Sequence, residues 1–332
     1  MQTERANTAT PSPEILLDIY RRMLRIERND DATRRTIMRG RLQMPYYPTR
    51  GQEVIPSALS VNLNDDDTIC TIYRGIHDMV AKGMPYRQIW AEIAGRVTGA
   101  CKGKGGPMHL THPESGVMVT TGIVGSSMPI ANGLAWAYKL DRSRKVCVAN
   151  FGDGASNIGA FHEALNLASL WKLPVIFVCQ NNRFAEHTRY ENCTSVDQIS
   201  KRAIGYGMPG YTVDGNDPDA MYAAAREAIA RARDGEGPTL LECITFRFHG
   251  HVFGDDDKYM TKEEKAAAME KDPLPILRAR LIREGIASED QLAQMQKAIE
   301  AEVEEAIEYA LAQEFPSVDE LRRDVFATEI AQ

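Results

Sequence analysis

Asp153 stands between two glycines in "NFGDGASNIG", and 29 positions later Asn182 closes the pair in "VCQNNRF". A carboxylate and an amide oxygen are hard ligands, suited to Mg²⁺ or Ca²⁺ and not to zinc. Mg²⁺ is usually held by one or two protein oxygens together with phosphate oxygens. Glycines on either side of the carboxylate, Gly152 and Gly154, let the backbone approach a diphosphate closely. Alone, "GDG" and "NN" are each turn signals. Their separation is the length of one strand–helix–strand unit, and that spacing favours a site over two unrelated turns.

Such a site needs a frame. The sequence predicts strands at Val146–Phe151, Val175–Cys179 and Thr239–Phe246, alternating with helices at Ile158–Trp171 and Pro218–Arg233, the latter capped by Asp217. This alternation argues for an α/β fold, a parallel sheet with helices on both faces. Ligands of such sheets bind beyond the carboxyl ends of the strands, where strand order reverses. The helix expected to begin near Asn157 would offer its positive end to the same anion.

Around this centre lie other elements. Ser12 and Pro13 read as the N-cap and first residue of a helix, with Ile15, Ile19, Met23 and Ile26 at helical spacing. A further helix is expected near Gly51. Gly-rich loops occupy Gly99–His109 and Thr121–Pro129. Leu292, Met295, Ile299, Val303, Ile307 and Leu311 form one stripe of a C-terminal helix. The simplest partition is a helical arm over 1–45, an α/β domain over 46–270 and a helical C-terminal extension over 271–332, packed on the same domain.

Composition narrows the function class. Of 332 residues, 43% are hydrophobic and 26% charged, as in soluble globular enzymes. The net charge of −7 argues against a nucleic-acid partner. None of the six cysteines forms a C-x-x-C pair, and Cys147, Cys179 and Cys243 sit in apolar strand-like runs, so free thiols in a reducing cytoplasm are expected. "MQTERANTATPSPE" lacks the apolar core of a secretory signal, and no apolar run nears the roughly 20 residues that cross a bilayer. The expected location is cytoplasmic, with no membrane contact.

"GDG" followed by "NN" is similar to the thiamine-diphosphate-binding motif, and the likeness runs further. "YRG" at Tyr73–Gly75, "GKGGPMH" at Gly103–His109, "GIVG" at Gly122–Gly125, "EALNLASLWKLPVIFVCQNNRF" and "FRFHGH" at Phe246–His251 occur in order. Over roughly residues 15 to 315 the chain resembles the alpha subunit of the decarboxylating component of 2-oxo acid dehydrogenase complexes, a group that includes pyruvate, branched-chain 2-oxo acid and acetoin dehydrogenases. The resemblance implies a thiamine-diphosphate-binding fold, with residues 46–270 as the diphosphate-binding domain.

The resemblance also implies roles. Asp153 and Asn182 would coordinate Mg²⁺ with the backbone carbonyl of Phe184, and Asp153 would stay ionised throughout. Tyr73 and Arg74 match diphosphate contacts, and Gly154 and Ala155 would donate backbone N–H groups. Gly122 and Val124 match positions that hold the aminopyrimidine through backbone groups. His251 matches a histidine beside the thiazolium ring, there to donate to the diphosphate or assist proton transfer. Met108 and His109 are expected to order the Gly-rich loop, and His249 its own loop. The implied reaction is covalent catalysis by the cofactor on a 2-oxo acid, with the acyl group passed to a lipoyl acyltransferase component. The activating glutamate would lie on a separate beta subunit in an α₂β₂ assembly, so Glu53 and Glu163 are expected only to cap or brace helices.

The chain departs from the family pattern in places. Tyr47 stands where some members have a histidine near the substrate. Tyr46 and Tyr47 fit either a pocket wall or packing. His77 is one place later than the histidine of many members. Val252 replaces a regulatory serine, so phosphorylation is not expected there, and Asp255, Asp256 and Asp257 would repel an added phosphate. The alternatives are an acetoin-type enzyme that cleaves a hydroxyketone, a stand-alone carboligase, or a non-catalytic cofactor-binding scaffold.

Overall fold

In the computed structural model, which describes residues 9–325, the apolar runs become strands. They are β1 (Thr68–Ile72), β2 (Val117–Thr121), β3 (Cys147–Gly152) and β4 (Val175–Asn181), then a short hairpin of β5 (Phe184–Ala185) and β6 (Thr188–Arg189), then β7 (Gly210–Asp214) and β8 (Thr239–Ile244). Apart from the hairpin they form one sheet in the order β2-β1-β3-β4-β8-β7, and every neighbouring pair is parallel. The chain steps outward from β1 to β2, then returns to place β3 on the other side of β1. That reversal opens a crevice at the carboxyl ends of β1 and β3.

The helices are α1 (Pro13–Met38), α2 (Val54–Ser60), α3 (Ile76–Lys82), α4 (Tyr86–Ile93), α5 (Ser127–Leu140), α6 (Gly159–Leu170) and α7 (Tyr190–Cys193). They continue with α8 (Pro218–Arg233), α9 (Lys262–Glu270), α10 (Pro273–Arg283) and α11 (Glu289–Ala312). Alternation along β4 shows how two layers are filled. Ile176 and Val178 enter a core built with α1 to α4, α8, α10 and α11. Val175, Phe177 and Cys179 enter a second core with α5 and α6. Successive strand residues point to opposite faces, and a parallel sheet covered on both sides reads as an unbroken apolar run. The expected α/β architecture and C-terminal helical extension are both present.

Local signals fix several boundaries. Asp217 caps α8, its side chain accepting from the backbone of Asp219 and Ala220. Ser12 accepts from the Ile15 N–H ahead of Pro13. On α11, Leu292, Ile299, Val303 and Ile307 are buried, with Met295 and Leu311 packed partly against the same core. Three expectations shift. The helix expected from Ile158 starts at Gly159, because Asp153–Asn157 form a separate 3₁₀ turn. The helix near Gly51 starts at Val54. Strand β8 stops at Ile244, opposite the last residues of both its neighbours, Asn181 and Asp214.

All six cysteines are unbridged. No helix among the described residues is long and apolar enough to cross a membrane. The reading of the N-terminal stretch falls in part on residues 1–8, outside the described residues.

Candidate functional site

A cavity of about 490 Å³ lies at the carboxyl ends of the central strands. Each strand delivers residues to it through the loop that follows. Tyr73 and Arg74 follow β1, Gly122 and Val124 follow β2, Gly152 ends β3, and Asn182 and Phe184 follow β4. Asp153, Gly154 and Ala155 come from the 3₁₀ turn after β3, and His251 from the segment after β8. All of the residues expected to hold the cofactor or the metal therefore line this one cavity.

Asp153 is 2% exposed, and its Oδ2 is buried with no hydrogen-bond partner. Burial pushes its carboxyl up to about 6, against the pull of its own backbone N–H and of Arg247, Arg183 and Arg74. In the bare chain desolvation brings its titration closer to neutrality; the expectation that it stays ionised concerns the metal-bound acid, where a cation would favour the charged form. Asn182 is fixed from both ends of its amide. Nδ2 donates to Gln52 Oε1 at 2.9 Å, and Oδ1 accepts from the Phe184 N–H at 3.2 Å. Arg183 between them has φ of +72°, a sparsely populated conformation for a non-glycine residue.

The two glycines of "GDG" serve different ends. Gly152 lines the cavity, and a Cβ there would meet no atom within 4 Å. A Cβ at Gly154 would lie 2.8 Å from the Ala185 Cβ, so the turn and the β5–β6 hairpin close only without it. The first N–H groups of the 3₁₀ turn have no intrahelical acceptor, and Gly154 and Ala155 among its residues line the cavity.

Two cations sit beside this acid. Arg74 is 4% exposed; it donates to Pro48 O at 2.8 Å and to His251 O at 3.0 Å. Burial pushes it down to about 10, and neighbouring Arg247 pushes the same way. Arg247 is 1% exposed. It donates to Tyr259 Oη at 2.8 Å and to Glu186 O, while its Nε has no partner. Among the described residues, neither guanidinium pairs with a carboxylate. Two buried, uncompensated cations are costly, and an anion in the cavity would offset that cost.

His251 lies within ring-contact range of Tyr47, with centroids 5.3 Å apart, and of Tyr73, at 5.8 Å. Arg74 Nη2 is 3.2 Å from its Nδ1. Arg only donates, so Nδ1 accepts and the ring proton is assigned to Nε2. Burial, with Arg74, Arg247 and His187, pushes the ring down to about 3. The histidine is thus a neutral N–H donor in the bare chain.

Several lining residues escaped the sequence reading: Gln52, Gln180, Glu186 and Arg247; Met108, expected only to order its loop, also lines the cavity. Arg247 sits inside "FRFHGH", where the histidines drew attention, and Gln180 directly precedes the paired asparagines. The two tyrosines separate: Tyr47 lines the cavity, whereas Tyr46 is buried and donates to Asp30 at 2.6 Å. His77 does not line the cavity. It is fully buried and braces it, with Nδ1 3.0 Å from Arg74 O and Nε2 2.6 Å from Gln180 Oε1. Glu53 braces the turn before α2, accepting from Gly51 N and Arg50 without capping the helix by its side chain. Glu163 is exposed on α6.

Among the described residues no three His, Cys, Asp or Glu side chains cluster as a metal site. A cation here would rest on the unpartnered Asp153 oxygen, an amide oxygen and a main-chain carbonyl. Such a hard, under-filled set suits Mg²⁺ completed by phosphate oxygens. The rim around Ile123 and Val124 is open, these residues being 72% and 47% exposed.

Residues 21–319 match the family model described as dehydrogenase E1 component. The chain is 39% identical over 316 residues to the alpha subunit of acetoin:2,6-dichlorophenolindophenol oxidoreductase of Bacillus subtilis, covering 95% of this chain and 94% of that one. It is 38% identical over 315 residues to the pyruvate dehydrogenase E1 component subunit alpha of Rhizobium meliloti, covering 95% and 90%. A second acetoin-type alpha subunit, from Cupriavidus necator, is 38% identical over 316 residues, covering 95% of each chain.

Proposed function

The chain belongs to the dehydrogenase E1 component family, and from that premise we propose that it is the alpha subunit of a thiamine-diphosphate-dependent 2-oxo acid or acetoin dehydrogenase. It acts with Mg²⁺ and a separate beta subunit as an α₂β₂ enzyme of the cytoplasm. One observation carries the reading. A buried carboxylate oxygen without a partner and two buried guanidiniums without carboxylates share one cavity at the strand reversal. A metal diphosphate supplies the missing partner to each.

When bound, thiamine diphosphate supplies a carbon nucleophile and an electron sink. The chain's part is to hold and orient. Asp153, Asn182 and the Phe184 carbonyl take the cation, while Arg74 and Arg247 balance the diphosphate charge, helped by the N–H groups of Gly154 and Ala155. Tyr73 packs beside them. Neutral His251 would keep its Nε2–H available as a hydrogen-bond donor within the site, where a donor could aid without competing for a proton. Gly122 and Val124 present backbone groups at the open rim, where a second chain would close the site and exclude water. The acyl acceptor fitting a complex of this family is a lipoyl acyltransferase component.

Calorimetry with thiamine diphosphate and Mg²⁺, followed by turnover with an artificial electron acceptor after adding the beta subunit, tests this. The chain should bind the cofactor and need the partner for activity. Full turnover by the chain alone refutes the two-subunit reading. Pyruvate- and acetoin-named relatives are equally similar, so a substrate panel decides: turnover of acetoin with none of any 2-oxo acid establishes the acetoin form.

A further inference from the structure

We propose that Glu92 is a positioning residue for the reaction, its carboxylate folding the Gly-rich loop around itself and so setting Met108 and His109 against the cavity. Glu92 lies in α4 and is fully buried. Its Oε2 accepts from Cys101 N at 2.7 Å and Gly103 N at 2.9 Å. Its Oε1 accepts from Gly105 N at 2.7 Å and Gly106 N at 3.1 Å. Among the described residues no Lys or Arg pairs with it, so its charge is met by backbone dipoles alone, as in an anion-binding nest.

The loop's composition follows from this embrace. A Cβ at Gly99 would lie 2.5 Å from Glu92 Oε2, and one at Gly105 would lie 2.3 Å from His109 O. Such a loop looks made for phosphate. Its N–H groups are already taken by a side chain of the same protein, so it is not the diphosphate cradle. Two residues beyond Gly106, Met108 lines the cavity. The His109 ring lies 3.5 Å from where a Cβ on Gly122 would stand, at the open rim. Met108 and His109 therefore do not order the loop; Glu92 orders it and they ride on it.

The inference rests on the functional reading above, and the test separates the two. In the assembled enzyme with thiamine diphosphate and Mg²⁺, Glu92→Gln keeps the shape but turns an amide NH₂, a donor, toward two backbone N–H groups. It should lower kcat/KM about tenfold or more with saturating cofactor, because misplacement of about 1 Å can cost on the order of a hundredfold. Glu92→Asp, which keeps the charge, should recover part of the loss, and it carries the test if Glu92→Gln fails to fold. Cofactor affinity should stay within about threefold, because its groups lie on other elements. A variant carrying Met108→Ala and His109→Ala should be impaired too, and adding Glu92→Gln to it should change little, since residues acting through one another are not additive. Multiplying effects, an unaffected kcat/KM, an unimpaired loop variant, no recovery with Glu92→Asp, or a loss abolished by more cofactor would each overturn the inference. Failure of the functional reading would appear in the parent enzyme itself, as absent cofactor binding or turnover.

Discussion

Arg74 Nη2 meets His251 Nδ1 at 3.2 Å, so a buried cation decides which nitrogen of the histidine carries its proton. The same cation, with burial and Arg247, keeps the ring from taking a second one. Under the proposed function, this relationship would tie the charge of a diphosphate contact to the protonation of a group beside the reacting atoms.

That arrangement sets a pH dependence. Unfolded, His251 takes up a proton near its ordinary 6.5; folded, it does so only near 3. The unfolded chain binds the extra proton, so this group's contribution to stability falls as pH drops from 6.5 toward 3. At pH 5 the limit is about 2 kcal/mol, reduced to about 1 by solvent at the half-open ring. Denaturant midpoints at pH 7 and 5 should therefore move less in His251→Gln than in the parent. Equal movement would show that the ring is not held neutral.

Asp153→Asn should do two opposite things. It removes the proposed metal anchor, so Mg²⁺-dependent cofactor binding by calorimetry should vanish. It also removes a buried charge whose Oδ2 has no partner, and should stabilise the metal-free chain by about 1 to 2 kcal/mol at neutral pH. Tight binding in the variant would sink the metal assignment.

Arg247→Gln keeps donors near Glu186 O and Tyr259 but deletes the charge. A hydrogen bond to a charged group is worth about 1.5 to 3 kcal/mol, so thiamine diphosphate should bind about tenfold to a hundredfold more weakly. Unchanged affinity would place the diphosphate elsewhere.

Glu186→Gln addresses where the activating acid resides. Asp153 and Glu186 are the carboxylates among the lining residues, and Glu186 is exposed on the hairpin turn. With the acid on the beta subunit, turnover of the assembled enzyme should stay within about threefold, whereas losing a proton-transfer group costs on the order of a hundredfold or more. A loss of that second size would move the acid onto this chain.

The sequence exposed the strands because each is buried on both faces and reads as an apolar run, and it exposed the site because the motifs end those runs. It hid what depends on distant segments meeting. Gln52 reaches Asn182 across 130 positions, and Arg247 reaches Glu186 across 61. Glu92 shows no sign of its role in α4, since its partners are backbone groups that any sequence possesses. Tyr46 and Tyr47 are neighbours whose environments differ only in three dimensions. The 3₁₀ turn at Asp153–Asn157 breaks what periodicity alone would join into a helix.

Strand β4 feeds two cores by alternation, and Asn182 follows directly on its last residue. Deleting one of its residues would swap which side chains face which layer and drag Asn182 by about 3.3 Å. Packing and cofactor geometry thus tolerate the same drift, which is almost none. The walls supplied by loops, at Tyr47, Met108 and the β5–β6 hairpin, carry no such double duty. Over evolutionary time this fold can change what it acts on far more readily than how it holds the molecule that does the work.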